Sequence, residues 1–94
     1  MVTAMLNIEH TTRFKSDLNL AKRRQKSMKK IQDVMEKIAA EKPLDKKLRD
    51  HSLTGNWQDF RECHIEPDWL LIYKITSDRK TVIFTRTGTH ADLF

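Results

Sequence analysis

Apolar residues follow a helical period along the first half of the chain and crowd at strand-like density along the second. Leu6, Ile8 and their neighbours read as a short first strand. Phe14, Leu18 and Ala21 follow at spacings of four and three, one face of a helix. Thr11 or Thr12 is placed to cap it, since a hydroxyl there satisfies free backbone N–H groups. Arg23-Arg24-Gln25-Lys26-Ser27 is wholly polar and reads as a tight link. Met28, Ile31, Met35 and Ile38 then mark a second amphipathic helix, with Lys29, Lys30 and Lys37 on its polar face and Pro43 expected to end it.

The second half changes period. Gly55-Asn56 is a turn signal, and Phe60 to Ile65 can be extended. Glu66-Pro67-Asp68 breaks that run. Trp69 to Ile75, rich in aromatic and β-branched residues, predicts a strand. Ser77-Asp78-Arg79-Lys80 is a further turn, and Thr81 to Thr87 a last strand. The order is β-α-α-β-β-β. Short loops imply antiparallel neighbours, and two apolar helix faces need a sheet to cover. The expected architecture is α+β, a helix hairpin packed on an antiparallel sheet, in one domain over residues 1–94.

Composition narrows the classes. Apolar residues make up 38% and charged residues 33%, which excludes a disordered tail. The longest unbroken apolar run, Trp69 to Tyr73, is five residues, against about 20 for a membrane span. The first six residues carry no basic leader, so no secretory signal is expected, and Met5 is an alternative start. The single cysteine, Cys63, excludes an internal disulfide and a Cys-rich zinc site and points to a reducing compartment. Charge is uneven: residues 11–49 hold 13 Lys and Arg against five Asp and Glu, a local +8, and the remainder carries −3. A cationic segment of this kind attracts nucleic acid or an acidic protein.

The expected hairpins bring chemistry to one sheet edge. The end of strand 60–65, the start of 69–75 and the end of 81–87 share that edge, with His64, Asp68, Trp69, Arg86 and His90. His64 and Asp68 would be about 13 Å apart in a straight strand. The reversal at Pro67 can close that gap, and Gly88 can turn His90 back. Two imidazoles, a carboxylate and a guanidinium are parts for cleaving RNA without a metal. The 2′-OH must lose a proton and the departing 5′-oxygen must gain one, which imidazole does near neutral pH. Arginine offers donors to the phosphoryl oxygens, and Trp69 can stack on a base. His10 falls away from this cluster, and Trp57 reads as core or lid. A metal site built from His51, His64, Asp68 and His90 matches no standard ligand spacing.

The stretch from Asp50 to Trp57 and the strings HIEPDWLLIYK (64–74) and RTGTHADLF (86–94) closely resemble the YafQ branch of the RelE/ParE toxin superfamily. Residues 1–4 look like an extension beyond the family's usual start. The resemblance implies a RelE-like microbial RNase fold and the toxin half of a bacterial type II toxin–antitoxin pair, acting in the cytoplasm. It implies an mRNA interferase that cuts the message in the 30S A site of the ribosome, without metal or other cofactor, leaving a 2′,3′-cyclic phosphate and a 5′-hydroxyl. The family's functional positions carry over onto His51, His64, Asp68, Arg86, His90 and Phe94, all of which match. The resemblance implies that His90 is the general acid, that Asp68 or His64 is the base with the other orienting it, and that Arg86 stabilises phosphoryl charge. Phe94 and Trp69 would position the nucleotide, while the helices, with Lys29 and Lys30, would lie against ribosomal RNA. The implied partner is a cognate antitoxin, DinJ- or RelB-like, whose acidic segment covers the basic surface or the site. Operator DNA would be bound only through that complex. The rival readings are a non-catalytic nucleic-acid-binding regulator and a ParE-like gyrase inhibitor.

Overall fold

The computed structural model describes residues 5–94, so the expected extension at positions 1–4 lies outside the described residues. The elements are β1 (Asn7–His10), α1 (Thr12–Arg23), α2 (Met28–Ala39), β2 (His51–Ser52), β3 (Arg61–Glu66), β4 (Trp69–Ile75), β5 (Thr81–Gly88) and α3 (His90–Leu93), with single 3-10 turns at Lys46–Leu48 and Gly55–Trp57.

Thr11 is the cap of α1: its Oγ1 accepts the Phe14 N–H at 2.9 Å and donates to the Thr85 carbonyl at 2.8 Å, tying the helix start to β5. Ser27 caps α2 through the Lys30 N–H. Both helices end in the same way. Gln25 and Glu41 take left-handed φ values of 63° and 56°, and the next N–H reaches back to Ala21 or Lys37. Pro43 is therefore not what stops α2. The helix closes at Ala39, through backbone bonds that leave no carbonyl for another turn.

The sheet order is β1-β5-β4-β3-β2. β2, β3, β4 and β5 pair antiparallel, but β1 runs parallel to β5, with Asn7 opposite Thr81 and His10 opposite Phe84. The expectation of an antiparallel sheet is thus corrected to a mixed one. Short loops constrain only the hairpins of residues 61–88. β1 meets β5 through a connection that includes both helices and three strands, which imposes no antiparallel sense. β2, two polar residues long, gave no strand signal.

β4 is apolar on both faces and divides the interior. Trp69, Leu71 and Tyr73 face the helix hairpin, among Phe14, Ile31 and Phe84. Leu70 and Ile72 face the other way, against Leu93, Leu53, Trp57 and Phe60. Full burial of Phe14, Ile31 or Phe84 contributes roughly 2–3 kcal/mol each and fixes the hairpin on its face of the sheet. Cys63 is enclosed in that core, where burial pushes its thiol up to about 12. No helix of the described residues is long and apolar enough to cross a membrane.

Candidate active site

The site lies on the sheet face away from the helix hairpin. Strand alternation places Glu62 and His64 on the same side of β3. The Pro67-Asp68 turn brings the chain back into β4, with His64 opposite Leu70. β5 ends at Gly88, where a Cβ would stand 2.9 Å from Asp92 Oδ2 and 3.0 Å from Asp92 Cβ, so only glycine fits there without displacing α3. Thr89 and Asp92 then form a reciprocal capping box. Arg24, the residue that caps the end of α1, grips Asp92 at 2.7 Å. That arginine and the Thr89 N–H hold the Asp92 carboxyl down to about 2. His90 is the first residue of this clamped turn.

Asp68 Oδ1 accepts two bonds from His90, from the backbone N–H at 2.9 Å and from Nδ1 at 2.6 Å. An ionised carboxylate only accepts, so the proton is on His90 Nδ1 and Nε2 is left for other partners. The same His90 N–H, followed by its ring, holds Asp68 below the usual carboxylate range. Asp68 is thus bonded to His90, not to His64.

His64 has a different carboxylate. Its Nε2 is 3.5 Å from Glu62 Oε1, and His51 Nε2 is 3.6 Å from the same oxygen. Glu62 is 5% exposed. The ring centroids step from His51 to His64 over 6.1 Å and from His64 to His90 over 5.9 Å, so three imidazoles form one row. Burial lowers the His64 pKa, partly opposed by Glu62, so its imidazole is neutral at pH 7. His51 Nδ1 is 2.6 Å from the Arg49 carbonyl. Arg49 delivers that carbonyl from the left-handed region, at φ 51° and ψ 43°. His51 thus has one ring nitrogen at hydrogen-bond distance from a carbonyl, while the other stands 3.6 Å from Glu62 Oε1, beyond a hydrogen bond.

The other expected residues divide. Phe94 is exposed and stands edge-on to Trp57 at 6.0 Å. Arg86 pairs with Ile72 across the sheet. Its Nε and Nη2 bond Asp17 of α1 at 2.7 and 3.3 Å, and Asp17 also accepts the Thr87 N–H. Trp69 is 1% exposed on the helix side, so the expected base-stacking role is corrected: no nucleotide reaches that ring. Lys30 pairs with Glu66 at 3.0 Å, whereas Lys29 lies on the exposed face of α2 against Asp33 and is not drawn to the row. His10 stacks on Phe14 and Phe84, apart from the row. Among the described residues no group of three or more His, Cys, Asp and Glu is arranged to hold a metal ion.

Sequence reasoning missed Glu62, Asp17 and the backbone of Arg49. Glu62 had a signal, its two-residue spacing from His64 on a strand. Asp17 and Arg49 had none, because their roles depend on where α1 and the 3-10 turn dock.

Comparison with known proteins gives the class first. Residues 6–94 match the family described as "Bacterial toxin of type II toxin-antitoxin system, YafQ". The mRNA interferase toxin YafQ of Escherichia coli K12 is 43% identical over 89 residues, covering 94% of this chain and 95% of that protein. The E. coli DinJ–YafQ toxin–antitoxin complex contains a chain that superposes with a TM-score of 0.86 at 42% identity, over 96% of this chain and 98% of that one. A metal-bound toxin from Helicobacter pylori superposes at 0.90 with 40% identity, over 96% and 100%. The chain belongs to the YafQ family of bacterial type II toxins.

Proposed function

We propose that this toxin is an endoribonuclease that cleaves mRNA in the ribosomal A site by proton transfer between imidazoles, without a metal. The observation that carries the reading is the double grip of Asp68 on His90. In the proposed step, the RNA 2′-oxygen forms a bond to the adjacent phosphorus and its proton passes to His64. The bond from phosphorus to the 5′-oxygen breaks, and His90 Nε2 supplies the proton that oxygen needs. The products are a 2′,3′-cyclic phosphate and a 5′-hydroxyl. Each transfer is worth roughly 10²–10⁴ in rate.

Asp68 supports His90 as the acid, because a carboxylate on Nδ1 stabilises the imidazolium that must form. The burial that keeps His64 neutral suits it to be the base. Arg86 Nη1 offers positive charge to the phosphoryl oxygens, His51 a ring nitrogen, and Phe94 a ring for a base. A cognate antitoxin would silence it, in a complex like the E. coli DinJ–YafQ toxin–antitoxin complex, and its acidic side chains would meet the +8 segment. Operator binding through that complex belongs to the same reading.

The test is cleavage of message on translating ribosomes with EDTA present, an arm the metal-bound H. pylori relative makes necessary. Cleavage that survives EDTA and is lost in His90→Ala supports the reading. Loss with EDTA, or equal cleavage by His90→Ala, overturns it. Duplex binding without cleavage would favour a regulator.

A further inference from the structure

A cleft of about 300 Å3 opens beside the imidazole row, lined by Lys47, Leu48, Arg49, His64, Ile65 and Pro67. We propose that this cleft is the subsite for the nucleotide next to the cleaved phosphodiester, with its base on the apolar wall and its phosphate between Lys47 and Arg49. The inference rests on the ribonuclease reading above and adds where the flanking RNA lies.

Three observations carry it. First, the cleft is continuous with the site, since His64 both lines it and stands in the centre of the row. A strand whose 2′-OH reaches His64 can send one neighbour this way. Second, the wall divides by chemistry. Leu48, Ile65 and Pro67 offer an apolar surface, and the volume is at the small end of ligand pockets, enough for one nucleotide. Lys47 and Arg49 offer cations, and no ion pair among the described residues engages either. The one acid on the rim, Glu66, is already matched by Lys26 at 2.9 Å and Lys30 at 3.0 Å, so it does not repel a phosphate. Third, the Arg49 backbone is held in an uncommon conformation for a non-glycine residue. Its carbonyl is fixed by His51, so its side chain leaves from a fixed point next to the catalytic row.

Arg49→Gly is an informative variant, because glycine accepts φ 51° and keeps the carbonyl in place while removing the cation. Lys47→Gln removes the other charge. The full-length toxin, isotope-labelled, is titrated with adenosine 3′-monophosphate and, separately, with inorganic phosphate. The nucleotide is expected to move the Leu48 and Ile65 methyl signals. Each variant should weaken that binding roughly five- to tenfold and flatten its salt dependence by about one cation. On ribosomes, the variants should raise the half-saturating concentration more than they lower the saturating rate.

Nucleotide shifts confined to other residues, or binding unchanged in both variants, overturn the subsite. So do identical methyl shifts with phosphate alone, which would mean an anion site without a base pocket. Methyl shifts produced by an acidic peptide but not by the nucleotide would assign the cleft to the antitoxin. If wild type cleaves with full His90 dependence while both variants keep their concentration dependence, the subsite fails and the ribonuclease reading stands. If wild type does not cleave at all, the ribonuclease reading fails and the titration still decides the cleft.

Discussion

Asp68 holds His90 through a single oxygen, which takes both the ring Nδ1–H at 2.6 Å and the backbone N–H at 2.9 Å. One atom thus sets the rotation of the imidazole and the start of the helix that carries it. If His90 is the acid, Asp68 acts through His90 and the two are not independent. Asp68→Asn should lower single-turnover cleavage on ribosomes roughly 10–100-fold, and His90→Ala roughly 10²–10⁴-fold. The double variant should be no slower than His90→Ala alone, as groups acting as one unit behave. Multiplying effects would show that Asp68 has its own task, such as base.

Trp69 gives the opposite kind of prediction. Its ring is sealed in the helix-side core, and its Nε1 has no hydrogen-bond partner. Trp69→Phe removes that unpaired donor and some packing volume, two effects of opposite sign and each on the order of 1 kcal/mol. Cleavage by Trp69→Phe should stay within a few-fold of wild type, with the melting temperature shifted by only several degrees. A hundredfold loss with the fold intact would restore the nucleotide to that ring.

Trp69 also marks how far the sequence is legible. Spacings such as Phe14 to Ala21 and Ile31 to Ile38 told which helix faces are buried, because a helix in this fold has only one apolar side. β4 has two. With Leu70 and Ile72 as apolar as Trp69, Leu71 and Tyr73, alternation cannot say which set meets the helices, so an aromatic at the sheet edge looked available to RNA. The edge itself was legible: the Pro67 reversal and Gly88 bring Asp68 and His90 together. The link from His51 through Glu62 to His64 was not, since it needs β2, a pairing of two polar residues whose only support is its neighbour strand. The parallel sense of β1 was hidden for a similar reason, as it depends on where the helix hairpin returns the chain.

Burial lowers the His64 pKa, and this has a signed consequence for stability. Below the ordinary value of 6.5 the unfolded chain binds a proton at this position while the folded chain resists it. The unfolded state then holds more protons, so stability falls with pH from about 6.5 down to the folded value. Thermal unfolding of wild type and His64→Gln from pH 8 to pH 5 isolates the effect. The wild type should lose more stability across that range, and parallel curves would contradict a neutral, buried His64. If His64 is the base, the acid limb of the cleavage profile should also fall below 6.5, where the imidazole becomes protonated.

Glu62 is the least expected member of the site and the most sharply testable. Its Oε1 stands between two Nε2 atoms, at 3.6 Å from His51 and 3.5 Å from His64, with 5% of the residue exposed. A buried carboxylate in that place favours a proton on His64, against the effect of burial. Glu62→Gln keeps the shape and removes the charge. His64 should then take its proton at still lower pH, since Glu62 is the group that opposes burial there. The His64 ring signals should show this in a nitrogen-detected pH titration. If His64 is the base, the acid limb of the cleavage profile should move to lower pH with it. An unmoved His64 titration would mean that Glu62 merely fills space beneath the rings.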